Sequence, residues 1–172
     1  MEALAKRSTA RAFDVKDLSS QQLSNLLWAS FGVNRPDGRR TAPSAQNRRE
    51  VDIYVLLKTG AYVYEARSHG LVPVVAEDIR ALGGTQSFAR EAPVTLVYVA
   101  DLAKAQGDSA QGREWASADT GFISQNAYLY CASEGLATGV RASVDRAALG
   151  AKLKLKAEQW IVLAQSVGYP RP

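Results

Sequence analysis

The sequence predicts an α+β fold, with strands and helices intermixed, in preference to a doubly wound parallel sheet. Three observations predict it. Val51–Leu57 alternates and then turns apolar, and Ala61–Glu65 returns across Gly60, so the first two strands form a hairpin. Val94–Ala100 is an almost unbroken apolar run, as expected of a central strand buried on both faces. A long helical pattern then runs from roughly Trp115 to Glu134 and stops at Gly135, a residue suited to a helix C-terminus.

The remaining elements follow in chain order. Ser19-Ser20-Gln21-Gln22 reads as a helix start with a serine cap, and Leu23, Leu26, Leu27 and Phe31 recur at helical spacing before Gly32 ends the helix. From Gly32 to Arg49 the chain is polar, with Pro36, Asp37-Gly38 and Pro43. A long irregular segment of this kind in a compact fold tends to carry function. Glu77 to Leu82 predicts a short helix closed by Gly83-Gly84. On the long helix, Phe122, Ile123, Asn126, Leu129 and Tyr130 fall on one face. Ala137 to Ser143 predicts a strand. Asp145 predicts the cap of a short helix through Leu149, stopped by Gly150. Trp160–Val167 is the last strand, closed by Gly168-Tyr169-Pro170. No repeat divides the chain. Its 172 residues, 47% of them hydrophobic, suit a single domain over 1–172.

Composition removes several function classes. No apolar run approaches the roughly 20 residues of a membrane helix. The opening Met1–Lys6 lacks a signal-peptide core, so a cytoplasmic protein with no membrane partner is expected, the alternative being an exported one whose leader has been removed. One cysteine, Cys131, and one histidine, His69, leave no disulfide and no zinc set. Cys131, mid-helix and without a neighbouring base, reads as a buried structural thiol, and His69 as a loop residue. No Gly-x-Gly-x-x-Gly follows a strand, no Walker A loop is present, and no tight carboxylate pair suggests a glycosidase. The net charge of +4 suits an anionic ligand. Nucleic acid is not expected, because Arg39, Arg40, Arg48 and Arg49 match no reading motif.

With so little acid–base equipment, an enzyme would lean on an organic cofactor. Three segments suit one. Lys6-Arg7-Ser8-Thr9-Ala10-Arg11 sets two guanidinium groups around two hydroxyls, a phosphate-binding chemistry, although the spacing serves a solvated basic helix end equally well. Arg39–Asn47 is rich in amides and hydroxyls that can hydrogen-bond the edge of a planar ring; spacing alone favours an exposed connector. Gly135–Ser143 has small residues that let backbone approach a flat ligand, and it is also a helix C-cap followed by a strand.

The order of these segments is recognisable. Arg7-Ser8-Thr9-Ala10-Arg11-Ala12-Phe13 resembles the Arg-Arg-Ser-x-Arg-x-Phe opening of the nitroreductase superfamily, with Ser8 at the second Arg and Thr9 at the Ser. Leu26–Arg35 followed by Arg40–Ala45 looks like its SagB-type branch, which includes FMN-dependent dehydrogenases of peptide azoline rings. Gly60–Glu65 is similar to that branch's Gly-x-Tyr-x-Tyr hairpin. Gln125-Asn126, Gly135–Thr138 and Val167–Pro170 match as well, so the resemblance spans nearly the whole chain.

The resemblance implies a nitroreductase-like fold: a central, mostly antiparallel (mixed) sheet flanked by helices, in a homodimer with FMN at the subunit interface. It places Arg7 and Arg11 on the phosphate and the flavin ring, with Ser8 or Thr9 beside them. Pro43, Ser44, Ala45 and Asn47 would reach the ring from the second subunit, and Gln86 would be the amide near it. Val140, Arg141 and Ala142 would lie against the ring with main-chain donors, and Arg171 would add a phosphate contact. The implied activity passes hydride from NAD(P)H through FMN to a small oxidised acceptor, a nitroaromatic or a quinone. The alternatives are a non-enzymatic FMN-binding module and a SagB-type dehydrogenase of a peptide or small molecule. No side chain is singled out as catalytic. Ala142-Ser143 stands where some nitroreductases carry Glu-Gly, and the Lys-Tyr pair of the azoline dehydrogenases has no counterpart in this sequence.

Overall fold

The computed structural model describes residues 1–171. Six strands form one sheet in the order β3-β2-β1-β4-β6-β5. They are β1 (Val51–Leu57), β2 (Gly60–Glu65), β3 (Gly70–Val75), β4 (Val94–Asp101), β5 (Ala137–Arg141) and β6 (Gln159–Gly168). Every pairing is antiparallel, so the expected mixed character is absent among the described residues. The helices are α1 (Glu2–Lys6), α2 (Ser20–Phe31), α3 (Ala110–Glu134) and α4 (Arg146–Lys152).

Local chemistry explains most boundaries. Ser19 caps α2 in a full capping box, its hydroxyl accepting from Gln22 N–H while the Gln22 side chain accepts from Ser19 N–H. Gly135 ends α3 in the left-handed conformation at φ 67°, which glycine adopts without a Cβ clash. β4 lies between β1 and β6, and Val94–Ala100 is buried throughout, which accounts for its apolar run.

Four expectations change. β3 went unread because Pro73 breaks its strand pattern. It is an edge strand, where a missing N–H is tolerated. The predicted helix at Glu77–Leu82 is a 3-10 turn at Arg80–Gly83, followed by a second at Ser87–Arg90. α4 runs through Gly150 to Lys152, with Asp145 capping it as expected. On α3 the buried face is Ala116, Asp119, Thr120, Ile123, Ser124, Ala127, Tyr128 and Cys131, whereas Phe122 is exposed. A face with Asp, Thr and Ser in it carries little apolar periodicity. Tertiary packing chose it.

The N-terminal segment closes the sheet's β5 edge. Ala10 N–H donates to Thr138 O (2.8 Å) and Asp14 N–H to Tyr169 O (3.0 Å). Phe13 pairs with Pro170 and is fully buried with Ala92 and Ala137. Gly139 permits this approach: a Cβ there would stand 2.5 Å from the Ala10 carbonyl oxygen. A buried polar chain underlies the same edge. Tyr98 Oη donates to Gln165 Oε1 (2.6 Å), and Gln165 Nε2 to Thr138 Oγ1 (2.9 Å).

Candidate functional site

Tyr128 organises the site. It is buried on α3, and its hydroxyl accepts from Val140 N–H at 3.0 Å and hydrogen-bonds the Thr9 hydroxyl at 3.0 Å. Its ring lies 5.4 Å from the Arg7 guanidinium, within cation–π range. One side chain therefore ties the basic N-terminal segment to the outer edge of β5. Arg7, Ser8, Thr9 and Arg11 are all exposed, and neither arginine forms an ion pair among the described residues. Their charges are free for an anion.

The β5 edge supplies backbone donors at alternate residues. Thr138 and Val140 face outward, Thr138 O bound by Ala10 and the Val140 amide by Tyr128. The next outward amide at that spacing is Ala142's, which is exposed and donates to no group among the described residues. Across from it, Thr85 N–H donates to Ser143 O (3.0 Å), which brings the exposed Gln86 to the end of the same edge. Arg171 extends past Pro170 on this side, and its guanidinium meets Glu91 at 2.6 Å. That pair is about half exposed, so it binds weakly and yields readily to a stronger anion.

Arg141 stands apart from its neighbours. It is 7% exposed, Nε donating to Gly83 O (2.9 Å) and Nη1 to Ser166 Oγ (2.9 Å). Its side chain runs beneath the edge, so it can reach a ligand on the outer edge only from behind.

Pro43, Ser44, Ala45 and Asn47 lie elsewhere. Ala45 N–H donates to Asp119 Oδ2 (2.7 Å), and Arg49 N–H to Ser44 Oγ (3.0 Å). Tyr128 stands nine residues beyond Asp119, about 13 Å along the helix. No hydrogen bond joins this loop to residues 7–11 or 137–143 among the described residues. Gln46, Asn47 and Arg49 all have positive φ (52°, 56° and 53°), a strained arrangement for non-glycine residues. The loop also borders a cavity of about 440 Å³ that Arg35, Arg39 and Arg40 line.

Two acids beneath this loop were not visible as a pair in the sequence. Glu50 and Asp119 are 1% and 3% exposed, and neither Glu50 carboxyl oxygen meets a donor. Burial, with Asp119 beside it, pushes the Glu50 carboxyl up to about 7. Asp119 meanwhile accepts the loop's Ala45 N–H. Both are too deeply buried for the two-carboxylate chemistry of a glycosidase. Cys131 is fully buried in the core, and burial pushes its thiol up to about 12, which disfavours the reactive thiolate. His69 is exposed in the β2–β3 turn, bonded to Tyr64 (2.8 Å) and Ser24 (2.7 Å).

This fold, with its basic segment docked on an edge strand, is that of a nitroreductase-like oxidoreductase. The chain belongs to the nitroreductase family, whose model matches residues 4–169. It is 30% identical over 150 residues to a nitroreductase-family protein of Methanocaldococcus jannaschii, covering 80% of this chain and 75% of that one. A crystal structure of a nitroreductase-family protein of Ralstonia eutropha superposes with a TM-score of 0.94 at 38% identity, covering 100% of this chain and 83% of the other. A chain of an Escherichia coli microcin synthetase complex shares the fold alone, at 23% identity and a TM-score of 0.83, covering 100% and 74% of the two chains.

Proposed function

We propose that the chain is a single FMN-binding domain, spanning 1–172, that works as an NAD(P)H oxidoreductase in a homodimer. The observation that carries this reading is the convergence at the β5 edge. Ala10 docks on Thr138 and Thr9 on Tyr128, which sets the unpaired Arg7 and Arg11 and the exposed Ser8 beside the edge that carries the free Ala142 amide further along. That donor set fits a phosphorylated, flat, polar-edged ligand: guanidinium groups and hydroxyls for the phosphate, and main-chain amide and the Gln86 side chain for the ring.

FMN, when bound, supplies reversible acceptance of two electrons, taken from a reduced nicotinamide and passed to a small oxidised acceptor such as a nitroaromatic or a quinone. The chain's own residues bind, orient and stabilise. Arg7 and Arg11, aided by Arg171 on release from Glu91, hold the phosphate. Val140 and Ala142 press the backbone against the ring, with the Ala142 amide as donor. The small side chain of Ala142 keeps that approach open. Pro43, Ser44, Ala45 and Asn47 lie too far from this edge to complete the site in one subunit. A second copy brings them to it. The exposed Trp28 and Phe122 suit a dimer face, since Trp28 and Leu129 line one cavity and Phe122 continues the Leu129 stripe of α3.

The test is spectroscopic. Purified protein, or its apo form titrated with FMN, takes up the flavin, and NADH or NADPH bleaches its absorption under anaerobic conditions. A colourless chain that binds no FMN on titration overturns the proposal. A chain that binds FMN but is reduced by neither nucleotide retains the binding site and loses the electron-donor assignment.

A further inference from the structure

Glu50 is the most deeply buried carboxyl among the described residues, and neither of its oxygens meets a donor. Ionised in that place, it has neither water nor a hydrogen-bond partner to offset its charge. The charged groups packed around it relieve little of that cost. Asp119 on α3 sets a second buried carboxyl beside it. Arg48, the cation on the loop side, is committed elsewhere. Its Nη1 donates to Lys104 O (2.9 Å), its Nη2 to Gln46 Oε1 (2.7 Å), and its guanidinium lies 5.5 Å from the Trp115 ring. At the end of β4, Asp101 gives its N–H to Glu50 O (2.8 Å) and pairs its carboxylate with Lys104 (3.3 Å). Asp52, two residues along β1, adds another carboxyl. The loop that runs into Glu50 is tied to its surroundings by the Ala45–Asp119 bond and by Arg48, and it holds Gln46, Asn47 and Arg49 at positive φ.

We propose that residues 44–49 form a proton-held latch, seated while the Glu50 carboxyl is neutral and released when it ionises. Ionisation sets a buried negative charge against Asp119, and relief requires either water or the Arg48 guanidinium at Glu50. Admitting water parts the loop from α3 at the Ala45–Asp119 bond. Turning Arg48 inward breaks its bonds to Lys104 and Gln46. Either move unseats the loop and lets three strained residues return to ordinary φ. Burial, and then Asp119, raises Glu50 to about 7 in the seated loop, against 4.5 for a solvated glutamate. Unseating therefore grows as pH rises between those values and levels off above them. The latch stands without the flavin reading. Where that reading holds, the same loop reaches the second copy's site, and pH governs how firmly it does so.

The experiment is hydrogen exchange by mass spectrometry on the full chain between pH 5 and 8, corrected for the intrinsic pH dependence of amide exchange. The amides of Ala45, Asn47, Arg48 and Arg49 are all hydrogen-bonded in the seated loop, so they report its opening. Their protection in the wild type is expected to fall about 10- to 100-fold from pH 5 to 7, then flatten, while staying well below that of β4. Glu50→Gln keeps the shape without the charge, and its loop is expected to stay protected across the range. Protection of the wild-type loop that does not change with pH overturns the proposal. So does protection equal to that of β4 at every pH, because the loop then opens only with the whole fold. A pH-dependent loss that persists in Glu50→Gln belongs to another carboxyl, such as Asp52, and also overturns it. Should Glu50→Gln not fold, the wild type decides alone by the first two outcomes. None of these results depends on FMN uptake, so the latch and the flavin reading fail separately.

Discussion

Replacing Tyr128 by Phe removes one oxygen atom and, with it, the joint between the N-terminal segment and β5. The Tyr128 hydroxyl accepts from Val140 N–H and bonds Thr9 Oγ1, both at 3.0 Å, and the ring is 6% exposed. Without it the partly buried Val140 amide loses its acceptor, a penalty of about 1–3 kcal/mol. Thr9 is exposed and turns to water, so its loss adds little. About 2 kcal/mol in a domain of this length lowers the melting temperature by roughly 4–8 °C. The freed segment around Thr9 also orders less well around a phosphate, so FMN affinity falls about 2- to 10-fold. Differential scanning calorimetry of the apo chain and fluorescence titration with FMN read the two effects separately. A variant with wild-type melting temperature and wild-type FMN affinity would refute the view that this hydroxyl clamps the site.

Three further outcomes follow from the same geometry. Gly139→Ala places a methyl group 2.5 Å from the Ala10 carbonyl oxygen, so the segment shifts outward; urea unfolding should show a loss of about 1–3 kcal/mol. Arg7→Ala and Arg11→Ala each weaken FMN retention more in low salt than in high salt, because exposed guanidinium–phosphate attraction is screened; equal affinity in both variants places the phosphate elsewhere. Glu50 holds its proton to about pH 7 in the fold, against 4.5 for an ordinary glutamate, so the folded chain binds more protons between those values. Stability therefore falls as pH rises from 4.5 to 7 and levels off above, by up to about 3 kcal/mol for this group. Glu50→Gln flattens that fall in denaturant melts taken across the range, and a persistent slope would assign it to other groups.

Much of the sheet was legible in the chain. The hairpin at Gly60, the buried run at Val94–Ala100 and the glycine stop at Gly135 each follow from one local rule, and all three stand in the structure. β3 was hidden because Pro73 and a short polar turn mimic a loop. The buried face of α3 was misread because Asp119, Thr120 and Ser124 occupy it for hydrogen bonding and close packing, which a hydrophobic period cannot report. The candidate site was legible as separate segments. Ala10 bonds Thr138 and Thr85 bonds Ser143, so residues 7–11 and 86 each adjoin β5 or its end, while Tyr128, which ties Thr9 to Val140, carried no signal beyond an aromatic on a helix.

The sequence by itself determined the α+β class, the order of the segments and, through that order, the family. Those features are written in local periodicity, caps and glycines, which act over a few residues. Only the tertiary structure decided which groups face one another. It set Thr9 against Tyr128, buried Glu50 with Asp119, and sealed Arg141 beneath β5 with no carboxylate partner among the described residues. Each pairing depends on strand register and on where α3 crosses the sheet, and those are fixed by packing between elements far apart in the chain.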